Sequence, residues 1–239
     1  MDYNTIIIGG GHNGLICAAE LAKAGQSVLV LEARHQLGGA AGLSNDAGLL
    51  APEIADGLDI EWVEPETAAF APQQDGRALT LHTSLAQSID SITQFSTRDA
   101  AAFPKFVQDV QRLTAALKPY LIQPPSPAAM GQLMLNDPDL LRVSTLPAAE
   151  WLRHYFESEA LLGLLGSVSV THLSQGPYAQ GTGFMFLYQM LTAGAGGYKR
   201  VRYPKRGMGI LVDVLAQKAI EQGAEIKTGA AVAQILLEN

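Results

Sequence analysis

The first thirty residues alternate between short apolar runs and turn-forming residues in a pattern that predicts a β–α–β unit. Tyr3 to Ile8 is a short apolar run with β-branched residues, which indicates a buried strand. Helix formers follow from Leu15 to Ala24 and end at Gly25, and Ser27 to Leu31 predicts a second buried strand. Connections this short require parallel strands joined by a right-handed crossover.

The middle of the chain, residues 96–195, has the apolar spacing of a mostly helical region. Ser96 and Asp99 fit a capping box at the start of its first helix, and Pro104 is expected to kink or delay that helix. Thr145 is expected to cap a later helix. This region therefore differs in class from the opening of the chain.

The segments on either side of the helical region are predicted to contain strands as well as helices. Asp75-Gly76 precedes an alternating run at 78–82, which predicts a hairpin turn that leads into a strand. Residues 209–222 predict a helix, and 225–227 and 232–237 predict two short strands around a turn. The fold class predicted from this order is α/β, with a mostly helical region inserted into it.

Composition narrows the classes of function. The chain has 239 residues, of which 48% are hydrophobic and 16% charged, so it can form a sizeable core and does not have the composition of a disordered protein. Its net charge of −7 leaves no basic surplus for nucleic-acid binding. The single cysteine, Cys17, excludes a disulfide framework and is expected to be a buried small hydrophobe. The histidines lack ligand spacing, so no metal site is predicted.

The chain also lacks the sequence features of a secreted or membrane-spanning protein. No Lys or Arg precedes the first apolar run, and no uncharged run is apolar and long enough to form a spanning helix. These features predict a cytoplasmic protein. Apolar stretches at 161–165 and 184–188 leave contact with a membrane surface open, although core packing is the simpler interpretation.

A glycine-rich turn between the first strand and the first helix carries the candidate chemistry. Gly9, Gly11 and Gly14 have the GxGxxG spacing, in which the glycines permit a tight turn, close approach of a pyrophosphate and packing of helix on strand. The start of the helix offers free N–H groups and a partial positive charge to phosphates. His12 and Asn13 lie in the same loop, so all five residues are predicted to line a dinucleotide site.

An acidic residue stands at the end of the second predicted strand. Glu32 follows Gly14 by 18 residues (32 − 14), close to the spacing of about 20 expected for the acid that binds ribose hydroxyls. An acid at this position disfavours the 2′-phosphate of NADP, although Arg34 lies just beyond it. The spacing by itself leaves both FAD and NAD open.

The stretch from Ile6 to Ala41 resembles the opening of FAD-dependent oxidoreductases of the glutathione-reductase-like superfamily. More narrowly, it resembles the phytoene desaturase/carotenoid oxidoreductase branch, and within that branch the phytoene-dehydrogenase-related group of pyridine nucleotide-disulfide oxidoreductase domain-containing protein 2-like proteins. Residues 96–100, 151–162 and 203–209 carry the same resemblance. The resemblance implies that the chain is the N-terminal portion of a Rossmann-like FAD-binding fold with an inserted, mostly helical α+β substrate domain. It also implies that the C-terminal part of that fold is absent from this sequence.

The resemblance also implies a set of cofactor contacts. Gly38 and Gly39 would lie near the pyrophosphate and the ribityl chain, and Ala40 stands where many relatives have Arg. Val232, in the strand after Gly229, would face the adenine through its main chain. The implied FAD-binding residues are Gly9, Gly11, His12, Asn13, Gly14, Glu32, Ala33, Arg34, Gly38, Gly39, Ala40 and Val232.

The same resemblance implies a domain organisation and a reaction. Residues 1–70 would be the first part of the FAD-binding domain, 71–200 the inserted substrate-domain segment, and 201–239 the return segment of the FAD-binding domain. The reaction would be hydride transfer to flavin from an apolar small molecule of carotenoid or isoprenoid type, with the catalytic residues unknown. Two alternatives remain open: a truncated or split chain that is inactive without a missing C-terminal half or a partner chain, and an NAD-dependent dehydrogenase.

Overall fold

The structure is a computed structural model, and it describes residues 2–43, 56–121, 123–171, 173–192, 198 and 202–237. The strands are β1 (Thr5–Ile8), β2 (Val28–Leu31), β3 (Trp62–Val63), β4 (Thr67–Pro72), β5 (Ala78–His82), β6 (Tyr203–Pro204) and β7 (Glu225–Lys227). The helices are α1 (His12–Lys23), α2 (Leu85–Thr93), α3 (Thr97–Leu117), α4 (Pro127–Asn136), α5 (Pro138–Thr145), α6 (Ala148–Arg153), α7 (Glu159–Val168), α8 (Thr182–Gln189) and α9 (Gly209–Glu221).

The chain divides into two compact units. The first combines Met1–Val63 with Arg202–Asn239, and the second is Glu64–Val201. The first unit is thus built from the two ends of the chain, and the second is inserted between them. The assignment of 1–70, 71–200 and 201–239 to cofactor-binding and substrate-binding domains stays a prediction.

A three-stranded parallel sheet organises the first unit. Its strand order is β1-β2-β7, and the register aligns Ile7 with Val30 and Val30 with Ile226. Helix α1 connects β1 to β2, so the β–α–β unit predicted from the opening pattern is confirmed. A separate two-stranded antiparallel ladder joins β3 to β6, so it connects the two chain segments that form the first unit.

Small side chains allow α1 and α9 to pack closely on one face of this sheet. The buried residues of this cluster are Ala18, Ala19, Ala22, Val28, Val30, Ala219 and Ala224. Both helices end in the same way. After α1, Gly25 adopts a φ of +87° while Gln26 N–H donates to the carbonyl of Leu21 at 3.1 Å. Gly223 has a φ of +101° and plays the same part after α9.

The predicted strand at 232–237 is not formed. Instead of turning back beside β7, the chain crosses the end of β2, where Gly229 N–H donates to Arg34 O at 2.9 Å and Ala230 N–H to Glu32 O at 2.8 Å. A hairpin strand would lie along the outer edge of β7, whereas these two bonds hold residues 229 and 230 at the end of β2. The described part of the segment is exposed and has no strand partner among the described residues.

The second unit contains the predicted hairpin and a helical core. Strands β4 and β5 pair antiparallel, with Pro72 opposite Ala78, so the turn expected at Asp75-Gly76 is confirmed. The core of the unit is rich in aromatic rings that contact one another at centroid distances of 5.0 to 6.1 Å. These rings belong to Phe103, Phe106, Trp151, Tyr155, Phe156 and Phe186.

Two expectations about the helical region need correction. Helix α3 runs without interruption through Pro104, so the proline does not delay it, while a kink at this position stays a prediction. Thr145 does not cap the helix that follows; it is the last residue of α5, and its hydroxyl donates to the carbonyls of Leu141 and Arg142. Because a threonine hydroxyl can bond either backward or forward along the chain, the local sequence did not distinguish the two roles.

The capping box at the start of α3 is half formed. Ser96 Oγ accepts from the N–H of Asp99 at 3.1 Å, as predicted. The fully buried carboxylate of Asp99 does not reach back to Ser96, because it accepts the backbone N–H groups of Glu157 and Ser158, both at 2.9 Å. Asp99 thus joins the start of α3 to the start of α7.

Within the described ranges, none of the helices combines the length and the apolar character needed to cross a membrane.

Replacing Asp99 by Ala should lower the free energy of unfolding by about 2–3 kcal/mol, because two N–H donors lose their acceptor in a partly buried place. Urea unfolding followed by circular dichroism measures the loss. Asp90→Ala, a change at an exposed position of α2, is the control and should shift the midpoint little. Equal midpoints for the two variants would contradict the structural role of Asp99.

Candidate functional site

The turn between β1 and α1 has the geometry of a phosphate-binding loop. Gly9 adopts a φ of +106°, which only glycine adopts easily. A Cβ on Gly14 would lie 2.2 Å from the carbonyl oxygen of Gly9, so only glycine lets α1 pack this closely on the loop. Gly11 is the N-cap of α1 and has no side chain to occupy the free N–H groups of the first turn. His12 is half-buried and Asn13 is exposed at this helix start.

The second glycine pair lies directly against this loop. Gly38 N–H donates to the carbonyl of Gly10 at 2.8 Å, and an isolated parallel bridge joins Gly38 to Gly11. Gly38 and Gly39 have φ values of +116° and +53°. A Cβ on Gly39 would lie 3.4 Å from the Cα of Gly11, so the two segments are in van der Waals contact at this point. The two glycine segments, distant in sequence, thus form one surface of backbone groups.

Glu32 connects these segments to the end of β2. Its Oε2 accepts the N–H of Gly10 and its Oε1 accepts the N–H of Arg34, both at 2.8 Å. The backbone N–H of Arg34, followed by that of Gly10, holds the pKa of this carboxyl below its usual value. Each carboxylate oxygen can accept a further hydrogen bond, so the group can still bind a hydroxyl.

Gly10 belongs to the site although the GxGxxG motif does not specify it. A Cβ on Gly10 would lie 2.4 Å from Cδ2 of Leu37 and 3.2 Å from Cβ of Glu32, so a side chain on this buried residue would force Leu37 to shift where three segments converge. The motif leaves its second position open, and the run of three consecutive glycines at 9–11 was the signal that could have identified it. Gly10 also donates the hydrogen bond that orients the carboxylate of Glu32.

Other predicted residues lie at the margin of this site or away from it. Ala33, Arg34 and Ala40 are exposed. Val232 was expected in a strand; it is exposed, lies outside any strand, and follows the segment that bonds to the end of β2. Cys17 is also exposed, contrary to expectation. The helical period places Leu15, Ala18, Ala19 and Ala22 on the inward face of α1 and turns position 17 outward.

Comparison with known proteins agrees with this geometry. A family model described as an NAD(P)-binding Rossmann-like domain matches residues 7–60. The rat and mouse proteins named pyridine nucleotide-disulfide oxidoreductase domain-containing protein 2 are 29% and 30% identical over 98% of this chain and 48% of their own length. One of the subunits of limonene dehydrogenase from Castellaniella defragrans is 35% identical over 46% of this chain and 23% of its own. This chain therefore spans about half the length of the mammalian relatives.

Solved structures share the fold. Putrescine oxidase bound to putrescine superposes with a TM-score of 0.58 at 16% identity, over 96% of this chain and 51% of that one. Cyclohexylamine oxidase from Brevibacterium oxydans gives a TM-score of 0.52 at 18% identity, over 95% and 51%. The Rossmann-like fold predicted from the sequence is confirmed, as is the resemblance to the pyridine nucleotide-disulfide oxidoreductase domain-containing protein 2 group.

Replacing Gly14 by Ala should cost about 1–3 kcal/mol of stability, because the new methyl group would overlap the carbonyl of Gly9. Thermal unfolding by circular dichroism measures this cost. The matched control is Gly209→Ala in the same unit, where a Cβ meets nothing within 4 Å and where alanine favours the helix. A Gly14→Ala variant as stable as the control would show that the close approach is not required.

Glu32→Gln should make stability less dependent on pH in the acid range. Because folding lowers the pKa of this carboxyl, its contribution is present above its unfolded pKa and is lost as the pH falls through the folded pKa. The difference in stability between the wild type and the variant should be largest near neutral pH and should shrink below about pH 4. Urea unfolding midpoints of the wild type and the variant, measured near neutral pH and below about pH 4, give this difference. A difference that stays constant with pH would contradict a charge-dependent role.

Proposed function

We propose that this chain forms the nucleotide-binding half of an FAD-dependent oxidoreductase. The observation that supports this most directly is the packing of the glycine pair at 38–39 against the 9–14 loop, beside the open start of α1. This arrangement presents backbone N–H groups where side chains would otherwise block them, and it fits an elongated diphosphate better than a single phosphate group.

Each part of the site has a chemical task in this proposal. The N–H groups at the start of α1 bind the pyrophosphate, with His12 and Asn13 at the edge of the loop. Glu32 accepts a ribose hydroxyl while it remains bonded to Gly10 and Arg34, and Ala33 and Arg34 lie beside the adenosine. When bound, FAD supplies the hydride acceptor. The chain contributes positioning, and no side chain is assigned as an acid or a base.

The second glycine pair and the segment after β7 complete the proposed contacts. Gly38 and Gly39 would lie along the pyrophosphate and the ribityl chain, with Ala40 beside them. Val232 would contact the adenine through its main chain, even though it does not lie in a strand. Support for that placement is the pair of hydrogen bonds that hold residues 229 and 230 at the end of β2.

The proposed substrate is an apolar small molecule of isoprenoid or carotenoid type. Support comes from the resemblance to the phytoene desaturase branch and from the similarity of part of the chain to a protein named for limonene. The most deeply buried residues of the apolar helical stretches of the second unit do not supply a lining for such a substrate. Their residues Leu161, Leu165, Phe186 and Leu187 are fully buried in the core of that unit.

We further propose that residues 1–239 bind FAD weakly and turn over no substrate by themselves. The curated mammalian relatives are about twice as long as the part of them that this chain covers. An NAD-dependent dehydrogenase is the second candidate, because the matching family model describes NAD(P)-binding domains and Glu32 would suit the ribose of NAD equally well.

Replacing Glu32 by Ala should weaken FAD binding about tenfold or more, because a charge-assisted hydrogen bond to the ribose is lost. Titration followed by flavin fluorescence measures the affinity. Glu20→Ala, at an exposed position of α1, should leave the affinity unchanged.

Parallel titrations with NADH distinguish the two candidates. Binding of FAD that depends on Glu32, with no binding of NADH, is the expected result. Binding of NADH alone would favour the dehydrogenase. FAD binding of equal strength in the wild type and the Glu32→Ala variant would contradict the proposed site.

A further inference from the structure

A cavity of about 310 Å³ opens at the surface of the second unit. It lies between α6, α7 and the turn at Pro177 and Tyr178, and we call it the α6–α7 cavity. Ala149 and Leu162 line its inner part and are each only 7% exposed. Its size and its mostly apolar lining are typical of a binding site for a small molecule.

Two glycines of α7 border this cavity, although the packing of the helix does not require them. Gly163 and Gly166 are three residues apart and therefore share one face of the helix. A Cβ on Gly163 would meet nothing within 4 Å, and a Cβ on Gly166 would reach only ordinary contact with Pro177, at 3.8 Å. Alanine would fit at both positions and would favour the helix. The glycines thus keep space open at the expense of helix stability.

Hydrogen bonds hold the opposite wall of the cavity in place. The carbonyl of Pro177 accepts the N–H of Ala149 at 3.0 Å, which fixes the turn to the start of α6. The hydroxyl of Thr182 accepts the N–H of Ala148 at 2.9 Å and donates to the carbonyl of Ala179 at 2.7 Å. Because these bonds fix the backbone around the cavity, its shape is largely set before a ligand enters.

The charged groups of the lining are at the solvent side of the cavity. The guanidinium carbon of Arg153 lies 5.5 Å from the centre of the Tyr178 ring, and its Nη2 lies 3.5 Å from Oε1 of Glu159. This ion pair is longer than a good charge-assisted hydrogen bond, and the Glu159 side chain is 82% exposed, so the pair is weak. Among the described residues of the lining, Arg153 is the one cation, and its guanidinium has donors left for another carboxylate.

We propose that the α6–α7 cavity binds a small monocarboxylate with an apolar chain. Its carboxylate would pair with Arg153, whose planar guanidinium can bind such a group through two parallel hydrogen bonds. The apolar chain would lie along Gly163 and Gly166, where side chains would otherwise stand. A single negative charge is favoured over a phosphate, because Glu159 at the same opening would repel a dianion more strongly. All of these residues belong to the second unit, so the inference does not rest on the proposed function.

The first test is calorimetric titration of octanoate into the protein purified from its own source through an affinity tag. Octanoate should bind, and octanol and octylamine should bind about tenfold more weakly or less, because neither has a carboxylate for Arg153. Arg153→Gln should weaken octanoate binding about tenfold or more. Glu159→Gln should strengthen it, because a competing carboxylate is removed. Arg98→Gln is the matched control: it breaks an exposed ion pair outside the cavity and should leave octanoate binding unchanged.

The second test fills the cavity. Gly163→Leu should abolish octanoate binding without lowering the melting temperature, because the new side chain enters open space and favours the helix. Gly131→Leu is the matched control on α4, where a Cβ also meets nothing within 4 Å, and it should leave octanoate binding unchanged. Gly163→Ala should raise the melting temperature and weaken octanoate binding less than leucine does. These melting temperatures separate a filled cavity from a damaged fold.

Any of four results would overturn the inference. These are no binding of octanoate, equal binding of octanoate and octanol, unchanged binding in Arg153→Gln, and unchanged binding in Gly163→Leu. Tighter binding of octylamine than of octanoate would assign the opening to Glu159 and to a cationic ligand instead. Octanoate binding by residues 1–239 that is absent from the source protein would show that another part of that protein fills the cavity, which also contradicts a small-molecule site.

Discussion

Close contact between backbone segments at the ends of β1 and β2 is the constraint on which the first unit depends. Glycines at 10, 14 and 38 each remove a side chain that would otherwise collide with a neighbouring group, and Gly9 supplies the positive φ of the turn. Their cost in conformational entropy is offset by the packing that they permit. The surface that results consists of backbone dipoles, so its chemistry is the binding of an anion and not acid–base catalysis.

Glu32 shows how the same contact serves both stability and binding. Its carboxylate accepts an N–H from the glycine loop, while its own N–H donates to Lys227 O and its carbonyl accepts the N–H of Ala230. The ends of three strands are therefore connected through one residue. A group held this firmly needs little reorganisation when a ligand hydroxyl approaches it, because its orientation is set before binding.

The second unit is stabilised by a different principle. Its core is a cluster of aromatic rings in edge and tilted contacts, which are favourable beyond the area that they bury. The buried carboxylate of Asp99 then joins two helix starts by bonds to main-chain N–H groups. Packing of apolar side chains and the hydrogen bonds of the Asp99 carboxylate therefore both stabilise this unit.

Most of what could be predicted from the residues concerned local geometry. The helix stop at Gly25 and the Ser96 cap follow from contacts within a few residues, and the β–α–β unit follows from pairing within the first 31 residues. The sequence of each short stretch therefore contains the needed information. The GxGxxG loop and Glu32 were identifiable for the same reason, because their spacing along the chain reflects one supersecondary unit.

The remaining features depended on contacts between segments far apart in the chain. The contact of Gly38 with Gly10, the direction taken after β7 and the exposure of Ile6 and Ile8 are set by which strands and helices become neighbours. An apolar run such as 232–237 or 3–8 indicates only that packing another element against it would be favourable. Whether another element packs against the run, and on which face of the sheet, depends on the assembled tertiary structure, because the hydrophobic effect is not directional.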